Sequence, residues 1–297
     1  MLINSNNLRG IFTSFNTLFN KALTETPVQY DRVAMVVPST SRETTYGWLG
    51  QIPNMREWVG ERVIQNLMAY SYTIKNKDFE LTVKIPANDI ADDQLGIYNP
   101  IVSEMGLAAK THPDELIFNL LGNGFANNGY DEVPFFSDNH PWIKTKKQSN
   151  KGTKKLSAAT YAEARSKLMT IKGENGKSLK IVPDLLVVSP QNEAKAREIL
   201  FADLISGSTN VNKNTCELLV VPELADYAEQ WYLLCTKRYI RPLVFQEREK
   251  PVLVAKNKDT DDNVFFENEY LYGIKARYNA GYGLWQLAFG STGEEAE

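Results

Sequence analysis

Few residues in this chain of 297 are equipped for acid, base or metal chemistry, and their spacing limits each of them. Only His112 and His140 carry imidazole, so a histidine base or a multi-histidine metal site has almost no raw material. The densest polar cluster is Asp131, Glu132, Asp138 and His140, inside the Gly/Asn/Pro-rich stretch 122–142. On paper it is an acid/base or metal group. In so turn-rich a segment Asp and Asn serve backbone geometry, and that is the expectation. Paired carboxylates at Asp92/Asp93 or Asp131/Asp138, with Trp48 or Trp58 as sugar platforms, would suit a carbohydrate hydrolase. Adjacent acids at a helix start are more simply capping charges.

Other motifs fall short one by one. Gly122-Asn123-Gly124 resembles a phosphate cradle, but no Lys-Ser/Thr follows it and the acids beyond would repel an anion. Asp259-x-Asp261-x-Asn263 opens like a calcium loop, yet Val264 stands where glycine is needed and Tyr270 where an acid is needed. Cys216 and Cys235 lie in apolar contexts without C-x-x-C spacing and read as small buried hydrophobes. The expectation is a chain that is no enzyme and takes no cofactor or metal. Lys144, Lys146, Lys147, Lys151, Lys154 and Lys155 form the one basic patch, read as a solvated flexible loop with nucleic-acid phosphates as its alternative partner.

The elements around these residues are legible from periodicity. The composition is ordinary globular, 43% hydrophobic and 23% charged with a net charge of −3, which advertises neither nucleic-acid nor membrane binding. No apolar run has membrane-spanning length and the start is not signal-like, so a cytosolic chain with no membrane partner is expected. Segment 7–23 is an amphipathic helix with Phe12, Phe15 and Phe19 on its stripe. Residues 30–37 read as a strand. Segments 70–74 and 79–85 alternate apolar and polar residues around Asn76–Lys77 and predict a β-hairpin needing a surface to lie on. Between them, Trp48, Ile52, Met55, Trp58 and Val63 read as anchors of an irregular loop.

The pivotal stretch is 97–121, a long buried helix with Ile97, Ile101, Met105, Ala108, Leu116 and Leu120 on one face and Leu107, Ile117 and Leu121 widening it. Pro113 inside it predicts a bend or two stacked helices. From Ser157 the texture alternates: a helix capped by Ser157 or Thr160, a strand at 185–188, a helix at 191–200 and a strand at 218–221. Further strands are read at 231–235, 242–245, 250–255 and Phe265–Phe266, with a closing pair inside 270–289 and a loose acidic tail.

The stretches LRGIFTSFNTLFNKAL, GWLGQIPNMREWVGER, YTIKNKDFELTVKIPANDIADDQLGIYNP, LIFNLLGNGFANNGYDEVPFFSDNHPW, PDLLVVSPQNEAKAREIL and YGIKARYNAGYGLWQLAFG, in this order, resemble the major capsid proteins of tailed bacteriophages. They are most similar to the Mu-like phage and prophage major head subunit family. The resemblance implies an α+β chain of the Hong Kong 97 fold: N-terminal arm 1–43, extended loop 44–87, peripheral domain 88–179 and 243–297 with spine helix 97–121, and axial domain 180–242. It implies a structural role, self-assembly into an icosahedral shell of hexamers and pentamers enclosing the phage genome, with an encapsulin-like cargo shell as the alternative. Implied partners are further copies of the chain, a separate scaffold if any, portal and decoration proteins, and packaged double-stranded DNA. The implied location is the virion, assembled in the bacterial host cytoplasm. The expected assembly contacts are Phe12, Phe15, Phe19, Trp48, Trp58, Tyr72, Phe79 and Leu81, because apolar surface on outlying arms is covered when identical copies tile a shell.

Overall fold

In the computed structural model the described residues are 5–47, 49, 58, 71–92, 95–142, 146–173, 176–258 and 260–295. Trp48, Ile52, Met55, Val63, Asp93 and Lys144 lie outside them. In chain order, helix α1 (Ser5–Glu25) leads through the helical turn α2 (Tyr30–Val33) into strands β1 (Ala34–Pro38) and β2 (Glu43–Tyr46). Strands β3 (Tyr72–Lys75) and β4 (Lys77–Pro86), the short helix α3 (Ala87–Ala91) and the long helix α4 (Asn99–Gly122) follow. Then come β5 (His140–Trp142), β6 (Lys146–Gln148), β7 (Lys151–Lys154), helix α5 (Ala158–Met169), β8 (Leu185–Val188) and helix α6 (Glu193–Phe201). A small ribbon of β9 (Leu204–Ile205) and β10 (Ser208–Thr209) precedes β11 (Glu217–Val220) and β12 (Trp231–Leu234). The 14-residue strands β13 (Leu243–Lys256) and β14 (Glu269–Tyr282) are joined at their tip by helix α7 (Asp262–Glu267), and β15 (Ala288–Glu295) ends the described chain.

Two sheets carry the architecture. One has the order β1-β13-β14-β4, parallel between β1 and β13 and antiparallel elsewhere; the other has the order β11-β8-β12-β15-β7. Helix α4 spans both hydrophobic cores. Val102 and Met105 belong to the core that α1 shares with the far half of the first sheet, and Ile117, Phe118 and Leu121 to the larger core of the second. Its buried face is turned about one residue from the stripe expected: Ile97, Ile101 and Leu107 are exposed, while Val102, Gly106 and Pro113 are buried. The reason is where α1 crosses. A Cβ on Gly106 would lie 2.7 Å from the Phe19 carbonyl oxygen, so this glycine lets two backbones touch and dictates which face turns inward. The helix is continuous through Pro113, because packing at both ends outweighs one lost backbone bond.

Other expectations change for equally local reasons. Residues 30–33 form a helical turn rather than the start of a strand, because Asp114 Oδ1 on α4 accepts the amides of Gln29 (3.0 Å) and Tyr30 (2.6 Å) and caps that turn from a distant part of the chain. Strands β3 and β4 do not pair as a hairpin. A single residue, Asn76, separates them, too little for a two-residue turn, so β3 pairs with β2 and β4 with β14. Asn76 is a buried corner post, donating to Ser39 Oγ and the Ser41 carbonyl and accepting from Gln246 Nε2. The strands read at 242–245 and 250–255 are one strand with bulges. The closing pair separates: β14 stays in the first sheet, whereas β15 enters the second between β12 and β7, so the acidic stretch to Glu295 is strand rather than tail. Gly283 sits at the crossover, where a Cβ would lie 2.6 Å from the Arg241 carbonyl oxygen.

Candidate assembly surfaces

The α1 stripe turns inward. Phe15 and Phe19 are fully buried, Phe15 against Tyr272 edge to face at 5.1 Å, so their face is covered by the chain itself and is not the uncovered arm surface expected. The physical reason is that α4 and the first sheet supply an apolar bed within the same chain. Phe12 is only half-buried. Tyr72 and Phe79 also pack on the core: the Tyr72 hydroxyl accepts the Tyr282 amide at 3.0 Å, and Phe79 lies 4.5 Å from the His112 ring and 4.9 Å from Tyr278. Of the expected contact residues that the structure describes, then, Trp58 and Leu81 are exposed, Phe12, Tyr72 and Phe79 are partly exposed, and Phe15 and Phe19 are buried.

His112 is wedged between Phe79 and Tyr278, with Nδ1 2.9 Å from the Tyr278 hydroxyl. Burial lowers its pKa from the ordinary 6.5, against a smaller opposing pull from Glu115. Because the folded value is depressed, this residue adds stability above pH 6.5 that drains away as the pH falls below it. The expected result is a steeper loss of thermal midpoint between pH 7 and 5 in the native chain than in His112→Phe, followed by circular dichroism of unassembled subunits.

From Lys146 on, the basic stretch is largely strand rather than loop. Lys146 and Lys147 lie on β6, paired with β5, and Lys151 to Lys154 form β7 at the edge of the second sheet. Lys146, Lys147, Lys154 and Lys155 are exposed and Lys151 half-buried, and lysines along a sheet edge also discourage unwanted strand pairing. Some charge is already engaged: Lys155 reaches Glu229 at 3.2 Å and Lys147 donates to Asn139 at 3.0 Å. Lys167, outside the basic run in sequence, joins the patch in space. Its Nζ donates to Ser149 Oγ and the Lys151 carbonyl, both at 2.8 Å, beside a cavity of about 210 Å³, and burial pulls its pKa down. Nothing in the local sequence signals this.

The acid and histidine cluster is dismantled by the fold. His140 and Asp131 form a buried pair at 2.7 Å, and His140 Nε2 faces Asn150 Oδ1 at 3.0 Å. The Asn150 amide nitrogen donates to the carbonyls of Phe135, Trp285 and Ala288, so its oxygen must accept and Nε2 must donate. The imidazole stacks on Trp285 at 3.9 Å. Asp138 and Glu132 are at the surface, Asp138 bonded to Ser149. The buried pair is a structural rivet out of reach of a substrate. Among the described residues no group of three or more His, Cys, Asp or Glu could hold a metal. Cys216 and Cys235 are buried free thiols, and burial pushes both pKa values up. One apolar display was missed in the sequence: Phe265 and Phe266, read as a strand, ride on α7 and face solvent, and Tyr239 is exposed as well.

The two-sheet frame, long bridging helix and extended first-sheet hairpin have solved counterparts. The procapsid of bacteriophage JBD30 matches over 97% of this chain and 76% of its own, at 36% identity and a TM-score of 0.64. The JBD30 capsid matches over 98% and 73%, at 27% identity and a TM-score of 0.56. A virus-like particle from Pyrococcus furiosus, 11% identical, shares the fold at a TM-score of 0.55 over 94% of this chain and 98% of its own. The fold is therefore the Hong Kong 97-like fold of phage capsid proteins. The major capsid protein of Escherichia phage Mu is 36% identical over 294 residues, 99% of this chain and 76% of the relative. The Mu-like prophage FluMu major head subunit of Haemophilus influenzae is 30% identical over 287 residues, 97% and 73% respectively. The family profile for Mu-like prophage major head subunit gpT matches residues 8–155, 148–224 and 223–296, and the chain belongs to that family.

Proposed function

We propose that this chain closes with copies of itself, as hexamers and pentamers, into the icosahedral shell of a phage head around double-stranded DNA. As a member of a major head subunit family it is a shell-forming structural protein. One observation carries the finer reading: the likeness to the phage Mu major capsid protein runs through 99% of the chain rather than through one motif. The role places the chain in the virion, assembled in the host cytoplasm beside scaffold, portal and decoration proteins, with no catalysis of its own.

In this frame 1–43 is the arm, 44–87 the extended loop bearing exposed Trp58 and Leu81, and 88–179 with 243–297 the peripheral domain. Segment 180–242 is the axial domain, its sheet completed by β7 and β15 from outside that segment. Negative-stain microscopy of the purified chain at high concentration tests the reading: closed particles are expected, and a species that stays monomeric removes it.

The lysine-bearing edge is the DNA-facing surface in this proposal. Replacing exposed Lys146, Lys147 and Lys154 by Gln is expected to weaken non-specific DNA binding and to lower the slope of log affinity against log salt by up to about 3, near one unit for each phosphate no longer neutralised. An unchanged slope would turn that edge away from the genome.

A further inference from the structure

The tip of the β13–β14 hairpin carries both a knob and a hole. Phe265 and Phe266 are 76% and 77% exposed, and their rings meet edge to face at 5.0 Å, each packing on the other instead of on the core. The platform beneath them is firm. Buried Asn263 donates to the Lys256 carbonyl at 3.0 Å and the Glu269 carbonyl at 2.7 Å, tying the two strand ends, while Val264 packs toward the α1 core. Two large aromatics held out on a fixed support lose little conformational freedom on binding, and such display in water marks an interaction site.

Beside this knob a cavity of about 540 Å³ opens between α1 and the end of β13, lined by Leu8, Arg9, Phe12, Ala255, Lys258 and Thr260. Leu8, Phe12 and Ala255 make its lining largely apolar, and Arg9 and Lys258 bring positive charge to it; the knob is flanked by acids, Asp262 and Glu267. Both complementary halves are on one chain, so a second copy supplies the fit. We propose that subunits meet at this tip, the Phe265–Phe266 pair of one entering the cavity between α1 and β13 of a neighbouring copy. A knob and a hole on one chain let each copy both give and receive, so the contact can close into a ring of copies.

Aromatic side chains bury about 150–250 Å² each, so the two rings entering one cavity contribute roughly 300–500 Å², below what a free-standing interface needs. The contact is weak as an isolated pair and gains its strength by repetition in a closed assembly. This inference rests on the shell reading above.

The test compares particle yield, by sedimentation and microscopy, and thermal midpoint across four variants and the native chain. F265S/F266S, R9E/K258E and D262K/E267K are each expected to lower yield at least about tenfold with the midpoint unchanged, because all six side chains are at the surface. Combining R9E/K258E with D262K/E267K in one chain restores opposite charges across the contact, and yield is expected to return to within about twofold of native. Undiminished particles from F265S/F266S, or no recovery in the combined variant, overturns the contact. A native chain that forms no particles overturns the shell reading itself and the contact with it; selective loss in the variants concerns the contact alone.

Discussion

Phe19→Ala is expected to cost the unassembled subunit about 3–5 kcal/mol, the range for truncating a buried Phe. The side chain is fully buried, in a core with Ile11, Phe15, Tyr270 and Tyr272. Relaxation into the void is blocked, because α1 and α4 are already in backbone contact at Gly106. Against a typical total stability of about 5–15 kcal/mol such a loss leaves much of the population unfolded in mild denaturant. Chaotrope titration of the subunit under non-assembling conditions checks it. A change under about 1 kcal/mol would return α1 to the role of a detachable arm. Phe12→Ser, in the half-buried lining of the cavity, is expected to leave the subunit folded, which separates the core face of the helix from its surface.

His140→Ala carries a comparable penalty for a different reason. Removing the imidazole leaves the Asp131 carboxylate in the interior, with one oxygen already lacking a hydrogen-bond partner, and deletes the stack on Trp285. Leaving one half of a buried, hydrogen-bonded pair unsatisfied costs up to about 3 kcal/mol, and more where the group is charged, equivalent to a fall on the order of 10 °C in thermal midpoint for a chain of this size. Replacing both members, H140L with D131L, is expected to recover part of the loss, since no charge is then stranded. A double variant no better than His140→Ala would mean that the stack on Trp285, not the hydrogen-bonded pair, carries the effect.

Physical reasons separate what was readable from what was not. Helix α5 begins where Ser157 and Thr160 can form a reciprocal cap, and it does so, because the partners are three residues apart. Strand β8 falls at 185–188 because Leu185, Leu186, Val187 and Val188 form an apolar run buried on both faces. The long helix was legible in extent but not in rotation, since a 24-residue helix with apolar residues on several sides has no single face until a neighbour selects one. Asp114 as the cap of α2, Asn76 as a corner post and Lys167 in the basic edge all depend on partners brought in from elsewhere in the chain.

By itself, then, the amino-acid order determined the regular elements, the family texture and the scarcity of catalytic groups, because these depend on neighbours a few residues apart. Only the tertiary structure decided that Phe15 and Phe19 face inward, that His140 and Asp131 are riveted together out of solvent, and that Phe265 and Phe266 stand exposed. Burial is a property of what lies opposite, and the chain places its opposites dozens of residues away.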